Sequence, residues 1–545
     1  MRSHDPSGRK NCLPPGGNNS WRAVIPMTIR RLFLTFGVSF LCCLAVVSCR
    51  PKGEKGSQSP LVVGMEGSPI TLDPRLATDA YSARAIQIVY NGLLKKTPES
   101  TLTADLAERW ETPDDTSYIF HLRRGVRFHD GTELTAEDVR YTFASLLDAG
   151  FPSPLKDSYS QISRIEVLSP YTVRFQLKEP FAPFLTNMTL GIVPRHAAGK
   201  PGSRLASQPV GTGPFRLTGW EPDESLTFQA FDQYFEGKPR LSGLIYRIIP
   251  DETIRLLEVK KGSLDLVQNA LSPDAVESLR NNPQIQIVKK MGTNYTYLGF
   301  NLEDKILSHL AVRKAIALAI NRPLIIRQLM GNLAEPATGV LAPGNWAYEP
   351  DVATYDYRPK EAARLLDEAG FPDPDGQGPA MRFSVLYKTS QNELGKQVAE
   401  IIQHNLAEIG IGVEIRSYEW GTYFSDVRSG NFQLCSLQWV GVTDPDIYYN
   451  LFHSSCVPPH GANRGRYRNR TIDLLLEEGR RTMDPEARKK IYSSVQKIIA
   501  ADLPYVSLWY QTNVAVMSRR VRGFVLYPGG DFTSLRQAYC APSEG

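Results

Sequence analysis

The sequence predicts an α/β protein with more than one domain. At 545 residues the chain is too long for one ordinary hydrophobic core. The composition is that of a globular protein, with 42% hydrophobic and 10% aromatic residues. Helix-type and strand-type patterns alternate along the chain, as in residues 118–147 and again in residues 394–415.

The best-defined element is a strand–turn–helix unit over residues 118–147. Apolar alternation over 118–122 predicts a mostly buried strand, and Asp130-Gly131 supplies a turn. Thr135 then begins a helix through a capping box with Asp138. The apolar stripe that this helix should bury consists of Val139, Phe143, Leu146 and Leu147.

Two later helices are also predicted. One is an amphipathic helix over residues 394–409, which Gly410 ends. The other begins at the cap Asp484, with Pro485 in its first position. Its spacing predicts a buried side formed by Ala487, Ile491, Val495 and Ile498.

Residues 1–48 are predicted to be a lipoprotein signal segment, with Met27 as an alternative start. Arg30-Arg31 precedes an apolar run over 32–47, and the run is shorter than the ~20 residues that a membrane span needs. The last residues before Cys49 resemble a lipobox, so Cys49 is the expected lipidation site. An uncleaved anchor and a twin-arginine signal are the alternatives.

The net positive charge of the chain comes from this signal segment. Six of the 62 Lys and Arg and one of the 57 Asp and Glu lie in residues 1–48, so 56 of each remain in the body. A body without net charge gives no nucleic-acid footprint, so no nucleic-acid partner is expected. Residues 49–60 are polar and rich in Gly, Ser and Lys, which predicts a flexible tether.

The order of residues in the 118–147 unit resembles the signature of a known protein family. The pattern RxGVxFxDGxxLTAxDVxxTFxxL, from Arg123 to Leu146, resembles the signature of the family 5 extracellular solute-binding proteins, the peptide- and nickel-type receptors of ABC importers. The resemblance extends over roughly residues 61–540. Further matching segments are 70–74, 90–94, 102–110, 209–215, 256–265, 294–301, 311–322 and 362–370.

The resemblance implies a two-lobed fold of the type II periplasmic-binding-protein kind, with an extra subdomain in the first lobe. Lobe I would comprise residues 61–298 and 508–545, with the subdomain at about 93–208. Lobe II would comprise residues 299–507. Two crossings between the lobes would form a hinge that closes around a ligand.

The sequence gives little sign of catalysis. It contains no HExxH, GxSxG, CxxC or Walker lysine, so we expect no enzyme activity, no catalytic residue and no cofactor. His121 and His129 are interpreted as structural. The close spacing of His453, Cys456 and His460 leaves a metal site as a weak alternative. A disulfide between Cys435 and Cys456 is left open.

The expected binding region follows the strand-like run 432–439, because ligands collect at loops beyond strand ends in α/β sheets. Peptide binders of the resembled family often show W-x-x-D…DP, whose first Asp pairs with the peptide's α-amino group. Here Val442 stands in that place, and Asp444 would have to serve instead. Arg464 is a candidate partner for a carboxylate. The candidate ligand-binding residues are Tyr90, Trp346, Trp439, Thr443, Asp444, Asn463 and Arg464.

The resemblance therefore predicts a monomeric, lipid-anchored substrate-binding protein on the outer side of a membrane. It would capture oligopeptides or dipeptides and deliver them to an ABC permease driven by a separate ATPase. One alternative keeps the fold and binds a nickel complex, haem or another small solute. A remote alternative is a secreted enzyme.

Overall fold

The computed structural model describes residues 60–199, 203–376 and 378–541. The predicted signal segment, the lipidation site Cys49 and nearly all of the tether lie outside these residues. No helix in the described part of the chain is both long enough and apolar enough to pass through a membrane.

Strands and helices alternate through the described residues. The strands are β1 (Leu61–Met65), β2 (Leu94–Lys96), β3 (Leu102–Ala104), β4 (Ala107–Asp114), β5 (Ser117–Leu122), β6 (Ile162–Ser169), β7 (Thr172–Leu177), β8 (Phe215–Glu221), β9 (Ser225–Ala230), β10 (Gly243–Ile248), β11 (Leu266–Gln268), β12 (Ile285–Phe300), β13 (Ala334–Pro336), β14 (Phe383–Ser390), β15 (Ile411–Tyr418), β16 (Leu434–Trp439), β17 (Tyr505–Ser518), β18 (Val521–Arg522) and β19 (Tyr539–Cys540). The helices are α1 (Ala80–Val89), α2 (Ala136–Leu147), α3 (Phe184–Asn187), α4 (Arg195–Ala198), α5 (Glu252–Lys261), α6 (Pro273–Ser278), α7 (Leu310–Ala319), α8 (Arg322–Leu329), α9 (Pro359–Glu368), α10 (Glu393–Ala407), α11 (Trp420–Ser429), α12 (Ile447–Phe452), α13 (Arg470–Arg481) and α14 (Pro485–Asp502).

The largest sheet has eleven strands, and a long antiparallel pair near its centre separates two regions of parallel strands. Its order is β15-β14-β16-β12-β17-β11-β1-β10-β9-β8, with β13 paired to β17. β14 runs parallel to β15 and β16 on one side, and β1 runs parallel to β10 and β11 on the other. The long antiparallel pair β12 and β17 joins these two parallel regions.

The register of β12 against β17 breaks between Met291 and Tyr295. Before the break, β12 pairs only with β17, and after it β12 also pairs with β16. Gly292 lies at the break, where an added Cβ would come within 2.5 Å of the Gln511 carbonyl oxygen. The close approach of the two strands therefore requires glycine at this position.

A separate four-stranded antiparallel sheet, β4-β5-β7-β6, contains the predicted unit. Strand β5 buries Tyr118, Phe120 and Leu122, as the alternation predicted. Helix α2 begins with the predicted capping box between Thr135 and Asp138. Its apolar stripe packs on this small sheet in a core of its own. The apolar alternation and the capping box of this unit thus determine where its strand and helix lie and which of their faces are buried.

The predicted buried side of helix α14 was wrong by about one position. The cap Asp484 and the first-turn Pro485 are confirmed, but the buried residues are Arg488, Tyr492, Val495, Gln496 and Ile499. Among the predicted four, only Val495 is buried. Arg488 and Gln496 are buried because both have hydrogen-bond partners inside the protein, which the apolar pattern does not reveal. Helix α10 is confirmed, although its Leu394 is exposed.

Candidate ligand-binding site

The parallel strands β14, β15 and β16 end at one edge of the large sheet. Their last residues are Ser390, Tyr418 and Trp439, and the chain leaves each strand there through a loop or directly into a helix. The carboxyl ends of parallel strands are where α/β proteins most often bind ligands. The edge after β16 is therefore the candidate site.

An aromatic stack with a guanidinium in it occupies this edge. Trp420, the first residue of α11, is 55% exposed and stacks on Phe424 with ring centroids 5.5 Å apart. The Arg464 guanidinium lies 5.2 Å from the Phe424 centroid and 4.7 Å from the Trp439 centroid. The sequence placed Trp439 and Arg464 among the candidates, and the structure brings these two together. Such a stack offers a ligand both apolar surface and positive charge.

Arg464 has no carboxylate partner among the described residues. Its Nη1 donates to the Tyr297 hydroxyl at 3.2 Å, and its buried Nε has no hydrogen-bond partner in the part of the chain that the structure describes. The buried Trp439 Nε1 also has none. Burial opposes the charge, but the nearby Tyr297 and Tyr505 hydroxyls act in the other direction, and the net pKa of Arg464 is raised above its ordinary value. Arg464 therefore stays charged and keeps a donor for a ligand.

The loop 440–446, which follows β16, contacts the rest of the protein on two sides. Its Val442 N–H donates to the Thr293 carbonyl at 3.4 Å, next to the register break in β12. The Thr443 hydroxyl accepts from Lys96 Nζ at 3.0 Å, and the Thr443 carbonyl accepts from Asn345 Nδ2 at 2.8 Å. Thr443 thus links the β2–β3 hairpin to the segment that follows β13.

Both carboxylates of this loop are already paired with arginines. Asp444 Oδ1 lies 2.8 Å from Arg488 Nη2, and Asp446 accepts from Arg480 at 2.7 and 2.9 Å. Burial raises the pKa of Asp446, although Arg480 acts against this shift. Asp444 also accepts from the backbone N–H of Asp446. The two acids hold the loop in place, and neither presents an unpaired negative charge.

Three predicted site residues lie apart from the stack. Asn463 is 1% exposed, and its amide bonds the carbonyls of His453 and Tyr467 and the N–H of Tyr467, so its polar groups are used inside the protein. Trp346 is 37% exposed and lies beside loop 440–446, with the Arg488 guanidinium 5.4 Å from its ring centroid. Tyr90 lines a separate cavity of about 150 Å³ together with Lys95, Lys96, Asp105 and Arg536.

Tyr90 is buried. Burial raises the pKa of its hydroxyl well above its usual value. The wall of the cavity carries both signs of charge, because Lys95 pairs with Asp105 and Glu236, and Arg536 pairs with Glu236. Burial also raises the pKa of Asp105 to about 6, with Lys95 opposing the shift.

The weak alternative metal ligands do not converge. His453 Nδ1 bonds the Ser455 hydroxyl at 2.7 Å, and its Nε2 faces Glu477 at 3.3 Å. His460 is exposed, whereas Cys456 is buried. Over residues 60–541, apart from the short gaps in the description, no three His, Cys, Asp or Glu side chains are arranged to hold a metal ion. Cys435 and Cys456 form no disulfide.

Sequence reasoning missed Trp420, Phe424 and Lys96. Trp420 follows β15 in the way that loop 440–446 follows β16, so the strand-end argument that selected Trp439 also applies to it. Phe424 is four residues further along the same helix, which is the spacing at which helical side chains meet. Lys96 carries no local signal, because its partner Thr443 lies 347 residues away.

Comparisons with known proteins agree with this architecture. The family model of the bacterial extracellular solute-binding proteins, family 5 Middle, matches residues 101–457. The oligopeptide-binding protein AppA of Bacillus subtilis is 28% identical over 94% of this chain and 99% of its own length. Its structure with a nonapeptide superposes with a TM-score of 0.77, at 27% identity, over 90% of this chain and all of that one.

Two further relatives bind other solutes by name. Heme-binding protein A of Haemophilus influenzae is 30% identical over 89% of this chain and 93% of its own length. NikZ of Campylobacter jejuni, solved with Ni(L-His), is 25% identical and has a TM-score of 0.76 over 88% of this chain and 99% of that one. The described residues thus adopt the α/β, two-lobed periplasmic-binding-protein fold that the resemblance implied. The chain belongs to the family 5 bacterial extracellular solute-binding proteins, the peptide- and nickel-type receptors of ABC importers.

Proposed function

We propose that this chain is an exported, lipid-anchored receptor that binds peptides between its two lobes and delivers them to an ABC permease. The observation that carries the proposal is the stack of Trp420, Phe424, Arg464 and Trp439 at the carboxyl edge of β14–β16. The exposed indole offers apolar contact for varied side chains, and the guanidinium offers a partner for a polar end group. The relatives named for oligopeptide binding support the choice of peptides.

The contacts around loop 440–446 support a closing mechanism. Besides the Lys96–Thr443 bond, the Thr186 hydroxyl lies 3.4 Å from Asp444 Oδ2, and the Ala182 N–H donates to the Arg480 carbonyl at 2.8 Å. These contacts join the proposed subdomain at about 93–208 to the proposed lobe II, residues 299–507. A ligand that touches both sides favours the closed state in proportion to its extra affinity for that state.

In this proposal the receptor neither forms nor breaks a covalent bond of the peptide. An extended peptide would use its backbone for hydrogen bonds, and water-filled space would accept different side chains. Transport would draw its energy from the ATPase of the importer. The lobe boundaries given above, and a monomeric receptor, belong to this proposal.

The test is calorimetric titration with a library of short peptides, using wild type and Trp420→Ala. We expect binding by wild type and a loss of about 1–3 kcal/mol in Trp420→Ala, the range for removing a large apolar contact. The matched control is Leu168→Ala, an exposed apolar residue of β6 in the separate four-stranded sheet, which should bind as wild type does. Absence of peptide binding by wild type would contradict the proposal.

A second candidate cargo is haem or a metal complex, which the names of two relatives favour. Native mass spectrometry of protein purified without refolding separates the two, because a co-purified peptide, haem and nickel complex differ in mass. If wild type carries a metal complex, the same measurement is made on His453→Ala and His460→Ala. Loss of the metal-complex signal in either variant would favour the weak alternative metal site.

The lipid anchor is tested separately. Cys49→Ser should move the protein from the membrane fraction to the soluble exported fraction without changing peptide binding. Retention of the variant in the membrane fraction would favour an uncleaved anchor.

A further inference from the structure

We infer that the solute is held by an anionic group rather than by a free amino group, so that an N-blocked or amine-free carboxylate is accepted. This inference rests on the proposed function, because it names the class of ligand that the same site takes. It concerns the charges near loop 440–446, where most acids are paired with cations and three cations are not paired with acids.

The acids near the loop are neutralised within the protein. Asp444 pairs with Arg488, and Asp446 pairs with Arg480 in a two-bond arrangement. At the neighbouring strand ends, Asp426 pairs with Lys388 at 2.7 Å. Breaking any of these pairs to bind an amine would leave a cation without its partner, which is costly in a partly buried position.

Glu419, an acid at this edge, has no cation partner within the described residues. Glu419 precedes α11 and accepts from the backbone N–H groups of Gly421 and Thr422 at 2.8 and 3.3 Å. Its negative charge is therefore already stabilised by the first turn of the helix. An amine would have to compete with this cap.

The cations show the opposite pattern. Arg464, Lys96 and Lys290 have no carboxylate within 4 Å among the described residues. Arg464 bonds the Tyr297 hydroxyl, Lys96 bonds the Thr443 hydroxyl, and Lys290 Nζ lies 3.2 Å from the Pro98 carbonyl.

Each of these three cations lies on an element that adjoins loop 440–446. Arg464 lies over Trp439 just before it, Lys96 bonds Thr443 within it, and Lys290 adjoins the register break that Val442 contacts. Three cations without acids give this region a positive potential that attracts an anionic ligand. Arg464 is the strongest anchor, because its buried Nε lacks a partner and a guanidinium binds a carboxylate through two parallel hydrogen bonds.

The competing amine anchor is Asp531. It lines the cavity beside Tyr90, and its Oδ1 accepts from Gln87 Nε2 at 2.7 Å, with no cation in an ion pair with it among the described residues. Lys95 and Arg536 line the same cavity but are already paired with Asp105 and Glu236, whereas Lys96 has no acid partner among the described residues, so an amine entering there would meet one unpaired positive charge. The charge balance therefore disfavours Asp531 as an amine site and makes it the control position.

The experiment uses a set of tetrapeptides, each prepared free, N-acetylated, C-amidated and with both ends blocked, titrated into the full-length receptor. We expect N-acetylation to change affinity by less than about threefold. C-amidation should weaken it by about ten- to a hundredfold, the range for losing one charge-assisted hydrogen-bonded contact. The reverse order, with acetylation harmful and amidation harmless, would overturn the inference while leaving peptide binding intact.

Variants assign the effect to residues. In Arg464→Met the free and amidated peptides should bind equally weakly, and Arg464→Lys should restore only part of the difference. Asp531→Asn should bind no more weakly than wild type, because it removes only a negative charge, and loss of binding in that variant would overturn the inference. Thermal melting of each variant shows that it is folded, and Arg464→Lys supplies the comparison if Arg464→Met is unstable.

If none of the four peptide forms binds, the proposed peptide function is contradicted, and a panel of non-peptide mono- and dicarboxylic acids decides the inference. Thermal stabilisation of wild type but not of Arg464→Met by a member of this panel would support an anion receptor with another cargo. No stabilisation by any acid would overturn the inference as well.

Discussion

The Arg488 guanidinium lies 2.8 Å from Asp444 Oδ1, and this ion pair ties loop 440–446 to helix α14. Both side chains are largely shielded from water, with 7% exposure for Arg488 and 18% for Asp444. Arg488 Nε also donates to the Gly479 carbonyl at 3.1 Å, at the end of α13. One arginine therefore sets the position of the candidate site relative to two helices.

Removing this arginine should destabilise the protein strongly. We expect Arg488→Met to lower the free energy of unfolding by about 3–5 kcal/mol, because Asp444 is then left partly buried without a partner. Urea unfolding followed by circular dichroism measures the change. The double variant Arg488→Met with Asp444→Asn should recover part of the loss, since no unpaired charge remains.

The matched control for that prediction is Arg481→Met. Arg481 pairs with Glu179 at 3.2 Å, but both side chains are about half exposed, so the loss should stay below about 1 kcal/mol. Equal losses for Arg488→Met and Arg481→Met would show that the buried ion pair contributes no more to the free energy of unfolding than the exposed one.

The same pair shows what the sequence could not reveal. Asp444-Pro445 was recognised as a candidate ligand contact from local sequence, but its partner lies 44 residues later on a helix. On that helix the apolar spacing selected Ala487 and Ile491, because an arginine ordinarily points to solvent. Burial of Arg488 follows from a tertiary ion pair, which no local pattern encodes.

Features set by neighbouring residues were predictable. The strand 117–122, the capping box of Thr135 and the start of α14 depend on alternation, turn chemistry and caps within a few residues. The order of the eleven-stranded sheet was not predictable in this way, because β12 pairs with β17 more than 200 residues later. Trp420 was an avoidable omission, since it follows a parallel strand directly.

His129 should make stability depend on pH. Its half-buried ring lies between two backbone groups, with Nδ1 accepting from the Gly211 N–H and Nε2 donating to the Gly213 carbonyl. Burial lowers its pKa from 6.5 to about 4, although the Gly213 carbonyl opposes the shift. Because the folded-state pKa lies below the unfolded one, this contribution is complete above about pH 6.5 and is lost as the pH falls toward 4.

The expected loss from His129 between pH 7.5 and pH 5 is about 2 kcal/mol in the free energy of unfolding. Urea unfolding at both pH values measures it, and His129→Gln should reduce the loss by that amount because Gln does not titrate. His460→Gln is the control, since that side chain is exposed on a loop far along the chain and should leave the pH dependence close to wild type. The same pH dependence in His129→Gln and wild type would contradict the assignment.

The capping box of α2 should contribute a measurable part of the stability of the small sheet. Thr135→Ala removes the side-chain half of the box, and we expect a loss of about 1 kcal/mol. Thr135→Ser keeps the hydroxyl and should cost only a few tenths of a kcal/mol. Thermal unfolding of the three proteins measures the difference. Equal melting temperatures for the alanine and serine variants would show that the hydroxyl is not used.

Gly292 allows β12 and β17 to approach each other at the break in register. An alanine there would place its Cβ 2.5 Å from the Gln511 carbonyl oxygen and 3.2 Å from the Asn513 side chain. We expect Gly292→Ala to destabilise the protein by about 1–3 kcal/mol, because the strands must separate locally to admit the methyl group. Urea unfolding measures this loss.

The control for Gly292→Ala is Gly344→Ala, a position where an added Cβ meets no atom within 4 Å. That variant should be neutral or slightly more stable, because alanine restricts the unfolded chain. Since β12 and β17 are the strands that join the two parallel regions, local separation at Gly292 should also weaken ligand binding. Unchanged stability and unchanged binding in Gly292→Ala would mean that the two strands tolerate a wider spacing at this point.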